Sequence, residues 1–281
     1  MLAAGLESRP RDFHQINRGQ LINDAISLAE AGELDYTTAL GMTRYMALET
    51  DCMPWSTAYD TLVYTNLRMD YLLEYRNLYT GYMLPRLAPV YALVNGFGIL
   101  ESDLHVIKIQ RQVIVKWVCA LDDPACNAEG STLFTEWLNT PNPDLNNPIH
   151  PDLRDTVYCA GMRIGGQAEF DFLFARYENV PSEVYAELER IEFALGCSAD
   201  TAMLTQYLDR SLDRTSALHG RFCFYAVVDN WRGLQTFLDE NSEALLGAKA
   251  GVEEAIATLD KILAWHAAYG QEVVDYFRNN P

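Results

Sequence analysis

The sequence predicts an all-α protein, because apolar residues recur at helical spacing along most of the chain and strand-like alternation is scarce. In segment 17–30 the apolar residues fall mostly on one helix face, and they are Leu21, Ile22, Ala25, Ile26, Leu28 and Ala29. Gly32 follows as a helix stop, and Asp35 stands as the N-cap of a second helix that passes through Met46.

Short amphipathic helices joined by brief turns favour an α-solenoid of stacked antiparallel helix pairs, a HEAT- or armadillo-like superhelix. No strict repeat period is visible, so a globular array of helices is the alternative. The sequence predicts one helical domain over residues 1–281, with a bend at the loop 140–151, where four prolines and three asparagines cluster.

Helix boundaries before this loop rest on proline and on capping residues. Pro54 opens a helix from an N1-like position. The segment 80–100 predicts one helix or two short ones, because it contains Gly81, Pro85, Pro89, Gly96 and Gly98. Ser102 or Asp103 is expected to cap a long apolar helix that ends at Ala120, and a short helix is predicted over 131–138.

The region after this loop gives more regular helical patterns. We expect one helix to begin at Pro151 and to run to about Ile164, and another to cover 167–177. Further helices are predicted to begin at Ser182 and Ser198, and the last ones cover 231–238 and 252–263.

The charge excludes several classes of partner. The chain has 21 basic and 39 acidic residues and a formal charge of −18, without the basic clusters that nucleic-acid binding requires. No stretch approaches the roughly 18 apolar residues of a membrane helix. We therefore expect no nucleic-acid binding and no direct membrane insertion, and we expect neither a signal peptide nor a membrane anchor in this chain.

No pattern of residues predicts catalysis or metal binding. The five histidines are His14, His105, His150, His219 and His266, and none belongs to an H-E-x-x-H sequence or has a second histidine within three to five residues. His266 adjoins Trp265 and is interpreted as a packing residue. We expect no catalytic, cofactor-binding or metal-binding residue in this chain.

A set of ordered segments gives a more specific indication. They are INRGQLINDA (16–25), AGELDY (31–36), ETDCMPW (49–55), VYCA (157–160), GG (165–166), FDFL (170–173), ALGC (194–197) and QYL (206–208). Each is weak alone, but their order and spacing together resemble the C-terminal helical domain of M1-family zinc aminopeptidases of the aminopeptidase N type. The resemblance covers nearly the whole chain.

The resemblance implies a non-catalytic domain that stacks helix pairs into a bowl over the zinc site of a catalytic domain. Such a domain encloses the active-site chamber and limits peptide access, while the parent enzyme releases N-terminal amino acids from peptides. The implied partners are the catalytic and β-sandwich domains and peptide substrates. Zinc would belong to the parent, because the family's zinc and exopeptidase motifs are absent from this sequence.

The resemblance also implies two disulfides, Cys119–Cys126 and Cys159–Cys197, and hence an extracellular or cell-surface parent enzyme. Cys52 stands where the family usually has an aromatic residue. Cys52 and Cys223 are left as either two free thiols or one bridge. The chain also passes from Leu245 almost directly to its last helices, so it looks shortened relative to the family.

Two hypotheses follow. The first is the chamber-enclosing domain, which predicts a large apolar surface near the N-terminal helices, where other domains would dock. The second is a stand-alone α-solenoid that binds peptides or a protein partner and has a polar, self-contained surface at that place.

Overall fold

The computed structural model describes residues 2–70, 73–181, 183–212 and 249–280, and all regular elements in these ranges are helices. The all-α prediction is therefore confirmed for the part of the chain that is described. The chain divides into two compact units, Met1–Asp123 with Ile262–Pro281 and Pro124–Lys261. The single domain over 1–281 and the superhelical arrangement stay predictions.

The first unit contains six helices from the start of the chain: α1 Leu2–Ser8, α2 Gln15–Glu30, α3 Tyr36–Gly41, α4 Cys52–Asp70, α5 Leu73–Leu93 and α6 His105–Ala120. The second unit contains α7 Pro124–Leu138, α8 Arg154–Ile164, α9 Gln167–Asn179, α10 Tyr185–Leu195 and α11 Thr201–Leu212. Helix α12 covers Lys249–Trp265, and α13 covers Gln271–Asn279. Short 3₁₀ turns cover Pro10–Asp12, Arg44–Leu48 and Pro151–Leu153.

The turn between α2 and α3 forms as its sequence predicts. Gly32 has a φ of +76°, and the Glu33 N–H donates to the Leu28 carbonyl at 2.9 Å, which satisfies one of the last carbonyls of α2. The Asp35 carboxylate accepts from the Thr38 N–H at 2.6 Å and caps the start of α3. Both the stop and the cap are confirmed.

Helices α2 and α4 run parallel and in close contact. A Cβ added to Gly19 would lie 2.9 Å from Thr57 Oγ1, and at the other end Arg68 Nη1 pairs with Glu30 at 2.8 Å. Since Gly19 is near the beginning of α2 and Thr57 is near the beginning of α4, the two helices begin at the same end of the first unit.

Helix α6 continues this parallel arrangement on the other side of α4. Near its beginning, Gln110 donates to the Thr50 carbonyl at 3.0 Å, and near its end the Trp117 ring lies 6.0 Å from Trp55 and 5.4 Å from Tyr59. The first turns of α2, α4 and α6 therefore lie together.

Of the two alternatives predicted for segment 80–100, the single helix is confirmed, and it ends at Leu93. Pro85 and Pro89 lie inside α5, which is one uninterrupted helix. Each proline lacks an N–H and disfavours a helix interior by about 3 kcal/mol. Burial of large side chains along this helix opposes that tendency, and these residues are Tyr79, Tyr82, Met83, Leu87 and Val90.

Two predicted helix starts differ from the structure, that of α6 by one or two residues and that of α7 by about two turns. Helix α6 begins at His105, without a side-chain cap, because the Asp103 carboxylate instead accepts from the Leu100 N–H at 2.9 Å. Helix α7 begins at Pro124 and not near Ser131, since proline suits the first turn of a helix.

Three further boundaries also differ from the expectation. Helix α4 already begins at Cys52, two residues before Pro54. Helix α3 ends at Gly41, and Met46 belongs to a separate 3₁₀ turn. Helix α11 begins at Thr201, and the Asp200 side chain, not that of Ser198, accepts from the Ala202 N–H at 2.8 Å.

In the second unit, α7 and α8 pack with unusually close backbones. A Cβ on Gly161 would lie 2.3 Å from the Phe134 ring, so only glycine fits at this position. The neighbouring Trp137 ring stacks on Tyr158 with a 4.7 Å centroid distance. All three aromatic side chains are buried, and they form the centre of this unit's core.

The proline-rich loop between α7 and α8 is confirmed, and hydrogen bonds hold it against the core. Trp137 Nε1 donates to the Pro143 carbonyl at 3.0 Å, and Asn147 Nδ2 donates to the Tyr158 hydroxyl at 2.6 Å. The Tyr158 hydroxyl in turn donates to Glu187 at 2.7 Å. The loop is therefore ordered by tertiary contacts.

The end of the chain confirms the helical pattern over 252–263. A π-helical segment, His266–Gly270, links α12 to α13. Trp265 Nε1 donates to the Tyr36 hydroxyl at 2.7 Å, and a His266 ring nitrogen lies 2.5 Å from the Arg68 carbonyl oxygen. His266 thus packs as expected, while the predictions for 231–238 and Ser182 lie outside the described residues.

Candidate functional site

Three of the described histidines, His14, His150 and His266, have structural partners. His14 accepts from the Ile16 N–H at the start of α2, and His150 accepts from the Asp152 N–H at the start of a 3₁₀ turn. Burial lowers the pKa of His266 below its ordinary value. Among residues 2–70, 73–181, 183–212 and 249–280, no three side chains of His, Cys, Asp or Glu are grouped so that they could hold a metal ion.

The cysteines follow the pattern that the resemblance implies. Cys159 in α8 is bonded to Cys197, just after α10, with a Cα–Cα distance of 5.3 Å. Cys119 and Cys126 are also in disulfide form, while their pairing with each other stays a prediction. Cys52 is a buried free thiol, and Cys223 lies outside the described residues.

A buried ionic cluster fixes the beginnings of α2 and α4. Arg18 donates to the Glu49 carboxylate through Nε at 2.6 Å and through Nη2 at 2.9 Å. Its Nη2 also lies 2.5 Å from Asp51, and its Nη1 donates to the Phe13 carbonyl at 2.7 Å. Phe13, which precedes α2, and residues 49–51 are thereby held in one arrangement.

The electrostatics of this cluster follow from its burial. The hydrogen bond that Arg18 donates to Glu49 is the main cause that raises the pKa of Arg18. Burial, and then the negative charge of Glu49, raise the pKa of the adjacent Tyr45 hydroxyl. Arg18 and Glu49 are therefore a charged pair inside the protein, whereas Asp51 is half exposed at the rim.

Exposed apolar side chains come from the same end of the first unit as this cluster. Six large side chains are exposed there, and we call them the apolar end surface: Ile16, Leu48, Met53, Leu104, Val106 and Ile109. They come from the beginnings of α2, α4 and α6 and from the residues just before α4 and α6. Met53 adjoins α2, because a Cβ on Gly19 would lie 3.6 Å from its carbonyl oxygen.

The first turns of α6 reverse the usual distribution of polar and apolar side chains. Leu104 is 69% exposed, whereas Gln110 and Arg111 are each only 2% exposed. Arg111 donates to the Val94 carbonyl at 2.8 Å and pairs with Asp103 at 2.7 Å. Clustered exposed apolar side chains around a rigid buried framework are typical of a surface that another protein domain covers.

Sequence reasoning predicted an apolar surface near the N-terminal helices but did not identify its residues. Arg18 and Glu49 were noted only as letters of two family-like segments, INRGQLINDA and ETDCMPW. No signal singled them out, because the first segment also contains the charged Asp24 and the second also contains Asp51. Their partnership across 31 positions is a tertiary contact.

These features define a class of protein: a helical domain with an apolar surface at one end of its first unit and, among the described residues, no group that could hold a metal. The family follows from sequence comparison. A model of the ERAP1-like C-terminal domain matches residues 1–246, so the chain belongs to this family.

The similar proteins are aminopeptidases. The chain is 31% identical to aminopeptidase N of Oryctolagus cuniculus over 216 residues, which are 75% of this chain and 22% of that protein. It is 32% identical to aminopeptidase N of Homo sapiens over 202 residues, 70% of this chain and 20% of that protein. Aminopeptidase Ey of Gallus gallus is 31% identical over 204 residues, 71% and 20% of the two chains.

The chain thus spans about a fifth of the length of the curated relatives that it matches. Within the described ranges, no helix combines the length and the apolar character that crossing a bilayer requires.

Proposed function

We propose that this chain is the non-catalytic C-terminal domain of a zinc aminopeptidase, where it encloses the active-site chamber and limits the access of peptides. The parent reaction would be the release of N-terminal amino acids from peptides. Membership of the ERAP1-like C-terminal domain family supports the assignment. Zinc would be held by the catalytic domain of the parent enzyme.

The apolar end surface is the observation that carries this proposal. Its six exposed side chains are the feature that a docked domain would explain, because burying them removes apolar area from water at about 25 cal/mol per Å². The catalytic and β-sandwich domains are the proposed occupants. A stand-alone peptide-binding α-solenoid would have a polar surface at this place, so the exposed side chains disfavour that alternative.

A reconstitution experiment tests the docking. The chain is mixed with the catalytic and β-sandwich domains of a related aminopeptidase N that are produced without their own C-terminal domain, and complex formation is followed by analytical ultracentrifugation. We expect a 1:1 complex that still cleaves short peptides and cleaves long ones more slowly. Absence of a complex would contradict the docking, and unchanged cleavage of long peptides within a complex would contradict the enclosing role.

Matched variants locate the contact. Met53→Ser and Ile109→Ser are expected to weaken the complex roughly tenfold or more each, because apolar anchors at the centre of an interface contribute most of its affinity. Leu28→Ser is the control. Leu28 is as exposed as Met53, but it lies roughly 18 Å farther along α2 than Ile16, outside the apolar end surface. Equal weakening by all three variants would argue against the assigned surface.

An extracellular or cell-surface location for the parent enzyme is part of the same proposal. The Cys159–Cys197 bond supports it, because disulfides persist in oxidising compartments. Alkylation and mass spectrometry of the protein from its natural source would contradict the location if both thiols were found reduced.

A further inference from the structure

The second unit contains a cleft that has no role in the proposed function. It has a volume of about 350 Å³ and lies between the 139–150 loop and the connection from α9 to α10. This volume is within the range of sites that hold a small ligand or a few residues of a peptide. All of its lining residues belong to the second unit.

The cleft is preformed. The Trp137 indole donates to the Pro143 carbonyl of the loop at 3.0 Å. The Tyr158 hydroxyl accepts from the Asn147 side chain of the loop at 2.6 Å. An ion pair between Arg176 and Asp144 attaches the loop to α9. A ligand would therefore not have to order the loop, and that saving favours binding.

One wall of the cleft is apolar and open to solvent. Leu145 is 86% exposed and Val184 is 46% exposed, and Val180 lines the cleft beside them. Leu145 is surrounded in the sequence by asparagine, proline and aspartate, so no helical pattern accounts for it. These side chains offer a place where an apolar group of a ligand can leave water.

Two arginines add positively charged groups to the cleft. Arg154 and Arg176 both line the cleft, and they are two of the five arginines between positions 124 and 212, a range without lysine and with an excess of acidic residues. The cleft thus holds two of the few positive charges in this range, beside the carboxylates of Asp144 and Glu187.

The guanidinium groups retain hydrogen-bonding capacity. Arg154 donates through Nε to the Ile149 carbonyl at 3.3 Å, and its Nη1 lies 3.6 Å from Glu187. Arg176 contacts Asp144 through Nε, and its plane covers the Phe172 ring. Within the described ranges, Nη2 of Arg154 and both Nη atoms of Arg176 make no hydrogen bond to protein, so they can donate to a carboxylate.

The carboxylates of the cleft are already engaged. Glu187 accepts from the Tyr158 hydroxyl at 2.7 Å and pairs with Arg190, while Asp144 pairs with Arg176. Asn179 is exposed at the rim and donates to Asp144 through its side-chain nitrogen at 3.4 Å, so its side-chain oxygen is still able to accept a hydrogen bond from a peptide N–H.

We propose that this cleft binds an extended peptide segment in which a carboxylate adjoins an apolar side chain. The carboxylate contacts Arg154 and Arg176, and the apolar side chain packs on Leu145 and Val184. The carboxylate belongs either to an acidic side chain or to a chain terminus, since both present the same chemistry. This inference concerns the second unit alone and stands whether or not the first unit docks to an aminopeptidase.

Isothermal titration calorimetry with the full chain tests the ligand chemistry. The probes are acetyl-Leu-Glu-Leu-amide, acetyl-Leu-Gln-Leu-amide, and acetyl-Leu-Leu-Leu with a free terminal carboxylate. We expect at least one of the two carboxylate peptides to bind about tenfold more tightly than the glutamine peptide, and the tighter one identifies the source of the carboxylate. Equal or absent binding of all three peptides would overturn the proposal.

Variants distinguish binding in the cleft from nonspecific attraction of the peptide carboxylate to positive charge elsewhere on the protein. Arg176→Gln is expected to weaken the carboxylate peptide about tenfold, and Leu145→Ser about fivefold. Arg210→Gln is the matched control, because Arg210 belongs to the same unit but stacks on Phe174 away from the cleft. Leu145 is almost fully exposed, so its variant keeps the fold, and unchanged binding by Leu145→Ser would overturn the assigned wall.

Discussion

The two units of this chain are stabilised by different interactions. The first unit contains a buried ionic cluster in which Arg18 is held by Glu49, and buried hydroxyls of Thr43, Tyr82 and Tyr276 follow one another at 2.8 and 3.2 Å. The second unit relies on close aromatic packing around Gly161 and on a disulfide. We therefore expect the stability of the first unit to depend on the charge of Glu49. We expect the stability of the second unit to depend on the side-chain volume at position 161.

The surfaces differ in the same way. The apolar end surface of the first unit is a set of side chains supported by a rigid charged framework, whereas the second unit has a charged cleft supported by aromatic rings. An exposed apolar surface suits a folded domain as its partner, and a cleft lined by charged groups suits a short segment.

The largest effect is expected in the ionic cluster. Glu49→Gln leaves the Arg18 charge buried with only the half-exposed Asp51, so we expect the free energy of unfolding to fall by about 3 kcal/mol. Urea denaturation followed by circular dichroism measures this loss. Asp51→Asn is the matched control and is expected to change stability by about 1 kcal/mol or less. Equal effects would show that burial does not distinguish the two acids.

Volume is the test for the second unit. Gly161→Ala places a methyl group within 2.3 Å of the Phe134 ring, and we expect a loss of about 1–3 kcal/mol in the same urea experiment. Gly166→Ala adds the same methyl group where no atom lies within 4 Å. A loss for Gly166→Ala as large as that for Gly161→Ala would refute the role assigned to close packing.

The smallest effect concerns the cap of α3 in the first unit. Asp35→Ala removes the bonds to Thr38 and is expected to reduce stability by about 1 kcal/mol at neutral pH. The backbone hydrogen bond from Thr38 lowers the pKa of Asp35, so its contribution is complete above the ordinary pKa of about 4 and is lost as the pH falls through the lower folded value. Denaturation of both proteins at pH 7 and pH 2.5 checks this, and a constant difference would contradict it.

Much of the fold could be predicted from local signals. Gly32, Asp35 and the prolines of the 139–150 loop act on neighbouring backbone, so their effects are visible without the rest of the molecule. The start of α6 could not be predicted in this way, because Asp103 has its partners at Leu100 and Arg111 instead of capping the helix.

The candidate sites were predicted less completely. Family-like segments indicated the class of domain and an apolar surface near the N-terminal helices, but the cleft beside Leu145 had no sequence signal. Its two arginines lie in different helices, 22 positions apart, and only the folded loop brings Leu145 beside them.

The sequence by itself determined that this chain is helical and where several of its helices stop, since periodicity and capping are local properties. It also determined to which family the chain belongs, since ordered sequence segments carry that information. Tertiary structure alone decided that α5 continues through Pro85 and Pro89, that Arg18 is buried, and that Leu104 is exposed. The physical reason is that periodicity shows which side chains share a helix face, whereas the neighbouring elements decide whether that face is covered.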